Sequence, residues 1–277
     1  LDDIKEVNQP AMWPKAQPNI GLTVPYEVYQ QDVERAEKAP AARNDILAKR
    51  FGIPMEGYTY FFTYEETLLH PKRKVWNLPC AMGADLSQGD DFCAFTFLFP
   101  RPDGSFVVKT RSYITELTLM KLPGATRQKY EEFIREDSLQ IHPETVLDMD
   151  RVYEDLYAYI DDPQNKFDVR AMGYDPYGAK EFVARFNQDF GEYGVLKVLQ
   201  GAKTESIPLG ELKILSEQRM LIFDQELMKF AMGNAITMED TNGNRKLLKK
   251  RQDAKIDNVS AMMDAYVAFK TMKDEFI

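Results

Sequence analysis

Three aspartates stand where an acid is costly unless something pairs with it. Asp85 closes the apolar run Cys80-Ala81-Met82-Gly83-Ala84. A short polar turn to Asp91 leads into a second run, Phe92-Cys93-Ala94-Phe95-Thr96-Phe97-Leu98-Phe99. This reads as a β-hairpin whose first strand carries Asp85. Asp175 ends a short strand just before Pro176, and Asp257 opens the last helix within Lys255-Ile256-Asp257-Asn258-Val259. A buried carboxylate needs a partner, and a metal ion is one. With only His70 and His142 and only Cys80 and Cys93 in the chain, such a site would be built of oxygen. Oxygen donors suit Mg²⁺ or Mn²⁺.

Each acid also has a plainer reading. Asp85 fits a hairpin-end residue solvated at the sheet edge. Asp175 fits a turn residue or helix cap, and Asp257 fits a helix N-cap. Asp264 lies two helical turns beyond Asp257 on the same face, as a further ligand or a polar edge. Asp91 belongs to the hairpin turn or points back toward Asp85 as an auxiliary ligand.

The positions of these acids depend on the elements that carry them. At 277 residues, the chain has room for one large domain or a domain plus an appendage. No apolar run approaches the roughly 20 residues that cross a bilayer. The start, Leu1-Asp2-Asp3-Ile4-Lys5-Glu6, has no signal pattern. It also lacks an initiator Met, as a fragment or processed product would. Both cysteines read as reduced core thiols of a cytoplasmic protein. A net charge of −9 argues against broad attraction to nucleic acid. It leaves room for one local basic run, residues 245–255, which reads as a solvated face or as a DNA track; in the second case Lys249, Lys250, Arg251 and Lys255 are the candidates for phosphate contacts.

Residues 1–25, rich in Pro and Asn, read as an extended linker. Helices are expected at 26–38 and 40–51, and an irregular connection at 53–77. Strands are expected at 79–86, 92–99 and 105–113 as an antiparallel meander. Helices at 125–137 and 150–160 follow, then a strand at 169–174 and a helix carrying Phe182, Phe186 and Phe190 on one face. Next come a strand at 194–199, one long helix inside 205–229, a hairpin or irregular strand at 234–250 with its turn at Asp240-Thr241-Asn242-Gly243-Asn244, and a final helix at 257–273. A meander followed by alternating strands and helices implies an α/β fold: a mixed sheet flanked by helices. This is the order of a ribonuclease-H-like fold. The domain division expected is 1–52 for the linker and helical appendage and 53–277 for the main domain.

In that fold the three acids meet at the C-terminal ends of strands, where ligands of open α/β sheets gather. Several stretches then carry a family resemblance: Gly83-Ala84-Asp85-Leu86-Ser87 through Asp91-Phe92-Cys93-Ala94, Gly173-Tyr174-Asp175-Pro176-Tyr177, and Lys255-Ile256-Asp257-Asn258-Val259-Ser260-Ala261 with Gly233-Asn234-Ala235 before it. In this order they resemble the C-terminal nuclease half of the tailed-phage terminase large subunit. Trp13, Asn19-Ile20-Gly21 and the two helices after them resemble the segment that joins its motor to its nuclease. The resemblance implies an endodeoxyribonuclease that cuts concatemeric phage DNA in the host cytoplasm. Asp85 would bridge two Mg²⁺ or Mn²⁺ ions, and Asp175 and Asp257 would complete one site each. It also implies double-stranded DNA, a small subunit and a capsid portal as partners, no membrane, and a monomeric fragment. No Gly-x-x-x-x-Gly-Lys-Ser/Thr phosphate loop is present, so the packaging ATPase is not expected in this chain. Other readings are a Holliday-junction resolvase of the same fold, an actin-like or sugar-kinase ATPase, and a non-catalytic portal-docking module.

Overall fold

The structure, a computed structural model, describes residues 1–38, 40–53, 59–87, 89–239, 244–249 and 254–276. Lys250, Arg251 and the expected turn at 240–243 lie outside the described residues. The chain forms two compact units, Leu1–Thr59 and Tyr60–Ile277.

In the first unit, residues 1–25 are not an extended linker. They form 3-10 helices at Ile4–Asn8 and Pro10–Lys15. Prolines here fix φ near the value that such turns use. Trp13 is 2% exposed, and its indole N–H donates to the Val7 carbonyl. It packs with Ile20, Tyr29 and Phe51, the last two on α1 (Tyr26–Lys38) and α2 (Pro40–Phe51). One large aromatic with a satisfied N–H gives this short segment a core of its own. A two-residue strand, β1 (Thr59–Tyr60), follows at the boundary of the units.

The second unit is built on a seven-stranded mixed sheet with the path β5-β4-β3-β2-β6-β7, and with β8 also on β4. Strands β2 (Pro79–Asp85), β3 (Cys93–Pro100) and β4 (Phe106–Thr115) form the expected antiparallel meander. After α3 (Glu116–Met120) and α4 (Gly124–Arg135), strand β5 (Leu139–His142) adds parallel to β4. The sequence pattern does not single out β5, because its apolar-polar alternation, Leu139-Gln140-Ile141-His142, is only four residues long. After α5 (Met149–Asp161), strand β6 (Asp168–Tyr174) returns parallel to β2, and after α6 (Lys180–Phe190), β7 (Val195–Lys197) lies parallel to β6.

The long helix expected inside 205–229 is two helices, α7 (Ala202–Glu217) and α8 (Glu226–Asn234). Arg219 takes a left-handed conformation, φ +58°, and stops α7. Its guanidinium donates to the carbonyls of Glu65, Glu66 and Leu68, which holds the break. The chain then runs as β8 (Leu221–Ile222) beside β4. Between β8 and β5, the Gln225 amide pairs with both the N–H and the carbonyl of Thr110, at 2.7 and 2.8 Å. One side chain thus continues the ladder where no strand is present. The hairpin β9 (Ala235–Glu239) and β10 (Arg245–Lys249) precedes α9 (Asp257–Thr271).

Strand alternation sorts the sheet into two faces. Cys80, Met82 and Ala84, with Phe95, Phe97 and Met172, face α5 and α6 in one core cluster. Leu98, Phe106 and Val108 face α7, α8 and α9 in another. The sheet is therefore covered by helices on both sides, as its nearly unbroken apolar central strands require.

Candidate metal centre

Ala81, Gly83 and Asp85 share the face of β2 that looks toward α9, and on β6 the same face carries Ala171 and Gly173, with Asp175 next in step. All but the acids are small. A Cβ built on Gly83 would lie 1.7 Å from the Ala261 carbonyl oxygen, and one on Gly173 would lie 2.1 Å from that of Asp264. Helix α9 therefore rests on the backbone of the two central strands. Ala268 meets Ala81 and Ala171 at one end, so α9 runs antiparallel to β2 and its N-terminus reaches the strands' C-terminal ends. Asp85, Asp175 and Asp257 come together at that corner, all three lining one cleft of about 570 Å³.

The start of α9 is fixed from below. Asn258 is fully buried and donates to the hydroxyls of Thr110 and Ser112, at 2.5 and 2.7 Å. Thr96 donates to the Asn258 carbonyl at 3.0 Å. These hydroxyls lie on neighbouring strands β3 and β4, so the sheet sets the place of Asp257. The sequence reading missed Asn258. Its one signal was an amide beside the acid in an otherwise apolar run.

The charges are arranged more tightly than spacing implied. Asp91 also lines the cleft. One of its oxygens meets the Lys249 ammonium at 2.6 Å and the other meets Lys255 at 2.7 Å. Lys249 lies 3.6 Å from Asp257 as well. Lys255 is nearly buried and also donates to the Asp90 carbonyl, so its charge points into the loop that carries Asp91 and not outward. Lys249 likewise points among the acids. Lys249 and Lys255, expected at DNA phosphates, are in this structure counter-ions of the cleft.

Burial and the neighbouring Asp257, Asp175 and Asp91 push the Asp85 carboxyl well above its ordinary range, against the pull of Lys249. Burial raises Asp257 too, with Lys249 and Lys255 opposing and Asp91 adding repulsion. For Asp91 burial also works upward, but its two lysines outweigh it and hold the carboxyl low. For Lys249, burial pulls down, while Asp257, Asp91 and Asp85 together hold it above its usual value.

Asp264 does not line the cleft. It is wholly buried, and neither carboxyl oxygen has a partner among the described residues. Burial first, then Asp85, Asp175 and Glu205, drive it well above the ordinary range. Asp175 accepts a hydrogen bond from the Tyr177 N–H at 3.0 Å, so it serves the turn while facing the cleft.

Among the described residues, no three acidic, His or Cys side chains stand close enough to form a finished metal cage. The acids border the cleft without converging, and Lys249 sits between two of them. One oxygen of Asp257, on a residue 4% exposed, has no partner among the described residues. An all-carboxylate donor set with an orphaned buried oxygen fits a hard divalent cation.

Residues 1–273 match the family model described as the terminase large subunit, endonuclease domain. The terminase large subunit of Lactococcus phage SK1 is 26% identical over 271 residues, which is 95% of this chain and 49% of the relative. That of Enterobacteria phage HK97 is 23% identical over 93% of this chain and 51% of the relative. The crystal structure of the HK97 bacteriophage large terminase superposes with a TM-score of 0.66 at 21% identity, covering 95% of this chain and 54% of that one. The chain spans about half the length of the curated relatives it matches. A mixed sheet of this order, acids at the ends of its central strands and a family match over nearly the whole chain lead to one assignment: the chain belongs to the endonuclease domain family of terminase large subunits, with a ribonuclease-H-like fold.

Proposed function

We propose that this domain hydrolyses phosphodiester bonds of double-stranded DNA with two divalent ions. The observation that carries the reading is the placement of Asp85, Asp175 and Asp257 around one cleft, with an orphaned oxygen on Asp257. Asp85, Asp175 and Asp257 would hold Mg²⁺ or Mn²⁺, with Asp91 as an auxiliary ligand. A bound pair of ions supplies an activated water and stabilises the leaving 3′ oxygen. The chain's own part is to hold the acids in place and oriented. The backbone contact of α9 with Gly83 and Gly173 and the Asn258 hydrogen bonds limit how far Asp257 can move. Two-ion hydrolysis needs such rigidity, because small displacements of a catalytic group cost rate. Asp264 lies behind this site and is not assigned as a ligand.

The substrate reading is concatemeric phage DNA, cut in the host cytoplasm during packaging, with a small subunit and a capsid portal as partners. Family membership supports it. The same reading makes residues 1–52 the segment that joins the nuclease to a packaging ATPase, for which residues 1–277 carry no phosphate loop. Lys250 and Arg251, beside the cleft in sequence, remain the proposed phosphate contacts.

The test is cleavage of linear double-stranded DNA with Mg²⁺ or Mn²⁺ by the wild-type chain and Asp85→Asn. Full activity in the variant overturns the reading. Preference for a four-way junction over linear DNA would move the domain to the resolvases.

A further inference from the structure

Lys249 and Lys255 look alike in sequence and differ in the structure. The Lys255 side chain is 8% exposed and is tied to both Asp91 and the Asp90 carbonyl, so it has no open path out. The Lys249 side chain is 30% exposed, stands at the end of β10, and reaches Asp91 at 2.6 Å and Asp257 at 3.6 Å. Two residues earlier, Leu247 is buried in the core, and its N–H donates to Glu205 on α7 at 3.1 Å. The strand is therefore anchored, while the lysine beyond the anchor carries its charge on a flexible four-carbon stem.

The acids around it require a positive charge. Asp85, Asp91, Asp175 and Asp257 border one cleft, and carboxylates this close destabilise one another unless a cation intervenes. Without a metal, the only basic side chains among the described residues that pair with these acids are Lys249, at Asp91 and Asp257, and Lys255, at Asp91. The ammonium of Lys249 faces the same acid, Asp257, whose second oxygen is orphaned.

We propose that Lys249 is a resident counter-ion of the acidic cleft. Its ammonium holds a cation's place beside Asp91 and Asp257, and an entering divalent ion displaces it toward solvent. This rests on the metal reading above. Its consequence is a competition inside one side-chain shell: a +1 charge keeps the acids together until a +2 charge replaces it. The displaced ammonium then stands at the mouth of the cleft, where the phosphate of a bound strand would lie. Metal loading would thus convert Lys249 from an internal ion pair to a DNA contact, without moving the hairpin as a whole.

The experiment is calorimetric titration of Mn²⁺, at fixed pH and ionic strength, into the wild-type chain, Lys249→Met and Asp85→Asn. Removing a unit charge a few ångströms from the ion should tighten Mn²⁺ binding about tenfold in Lys249→Met. In EDTA the same variant should melt below wild type, because its acids have lost a counter-ion. Mn²⁺ binding that is unchanged or weaker in Lys249→Met overturns the proposal and leaves the metal reading intact, provided that wild type binds and Asp85→Asn does not. Absence of Mn²⁺ binding in wild type overturns both. A second measurement needs no variant. Reductive methylation of the wild-type chain, read by mass spectrometry at Lys249, should be several-fold faster with Mg²⁺ than with EDTA, while Lys255 stays protected. Equal rates at Lys249 overturn the proposal.

Discussion

Gly83 lies against Ala261 with no room for a methyl group: a Cβ there would stand 1.7 Å from the Ala261 carbonyl oxygen and 2.5 Å from the Ala265 nitrogen. Both are backbone atoms of α9, so no rotamer change relieves the clash. The helix must move or the strand must bend. Gly83→Ala should therefore cost about 3 kcal/mol or more, the upper end of overpacking penalties. Urea denaturation measures it. Gly210, in α7, has nothing within 4 Å of the position a methyl group would take, and is a control. Gly210→Ala should stabilise by about 0.5–1 kcal/mol through helix propensity alone. A Gly83→Ala variant as stable as wild type would mean that α9 does not rest on β2.

Asn258 ties the other end of the same contact. Its amide donates to Thr110 and Ser112 in a fully buried setting. Removing it leaves two hydroxyls short of a donor and frees the first turn of α9. Asn258→Ala should cost about 1–3 kcal/mol. It should also lower cleavage more than stability explains, since Asp257 precedes it. Comparing initial rates with urea midpoints separates the two effects. Wild-type activity in a destabilised variant would show that the network serves folding alone.

Asp85 gives opposite outcomes for stability and chemistry. Burial and three neighbouring acids make its ionised form costly in the metal-free chain. Asp85→Asn should therefore be at least as stable as wild type in EDTA. Its cleavage should fall by more than about 100-fold, the loss that even an outer-shell partner of a metal ligand causes. Paired melting curves and Mn²⁺-dependent cleavage assays check both. A large loss of stability would mean that Asp85 is a structural residue.

How much of this was legible in the sequence depends on the range of the interaction. The meander was plain because two apolar runs flank a short polar turn and Pro102-Asp103-Gly104 marks the next turn. Asp85, Asp175 and Asp257 were legible because each ends or opens an element. The inward turn of Lys249 and Lys255 was not. A basic run reads as a solvated face until the fold places acids opposite it. The burial of Trp13 and the break at Arg219 were hidden for a related reason. Each depends on partners far away in the chain or on one backbone angle, and neither leaves a period in the sequence. Asp264 and Asp257 share a helix face, yet only the packing of Gly173 against α9 shows that one is sealed and the other open.

That sealed carboxyl gives the chain a pH dependence of definite sign. Burial, with Asp85, Asp175 and Glu205 around it, raises Asp264 in the folded state above its unfolded value. Folding then favours the protonated form. The stability this proton contributes is fully present below the unfolded carboxylate pKa of about 3.9, and is lost as pH rises through the folded value. In EDTA, the stability of wild type relative to Asp264→Asn should fall with rising pH. The slope is about 1.4 kcal/mol per pH unit for one proton, and it levels once Asp264 has ionised. An amide does not titrate in this range, so the variant keeps only the pH dependence of the other groups. Thermal midpoints of both proteins between pH 5 and pH 9 measure the difference. Parallel profiles would show that Asp264 ionises in the folded state as readily as in the unfolded one, and that a further cationic group compensates its charge.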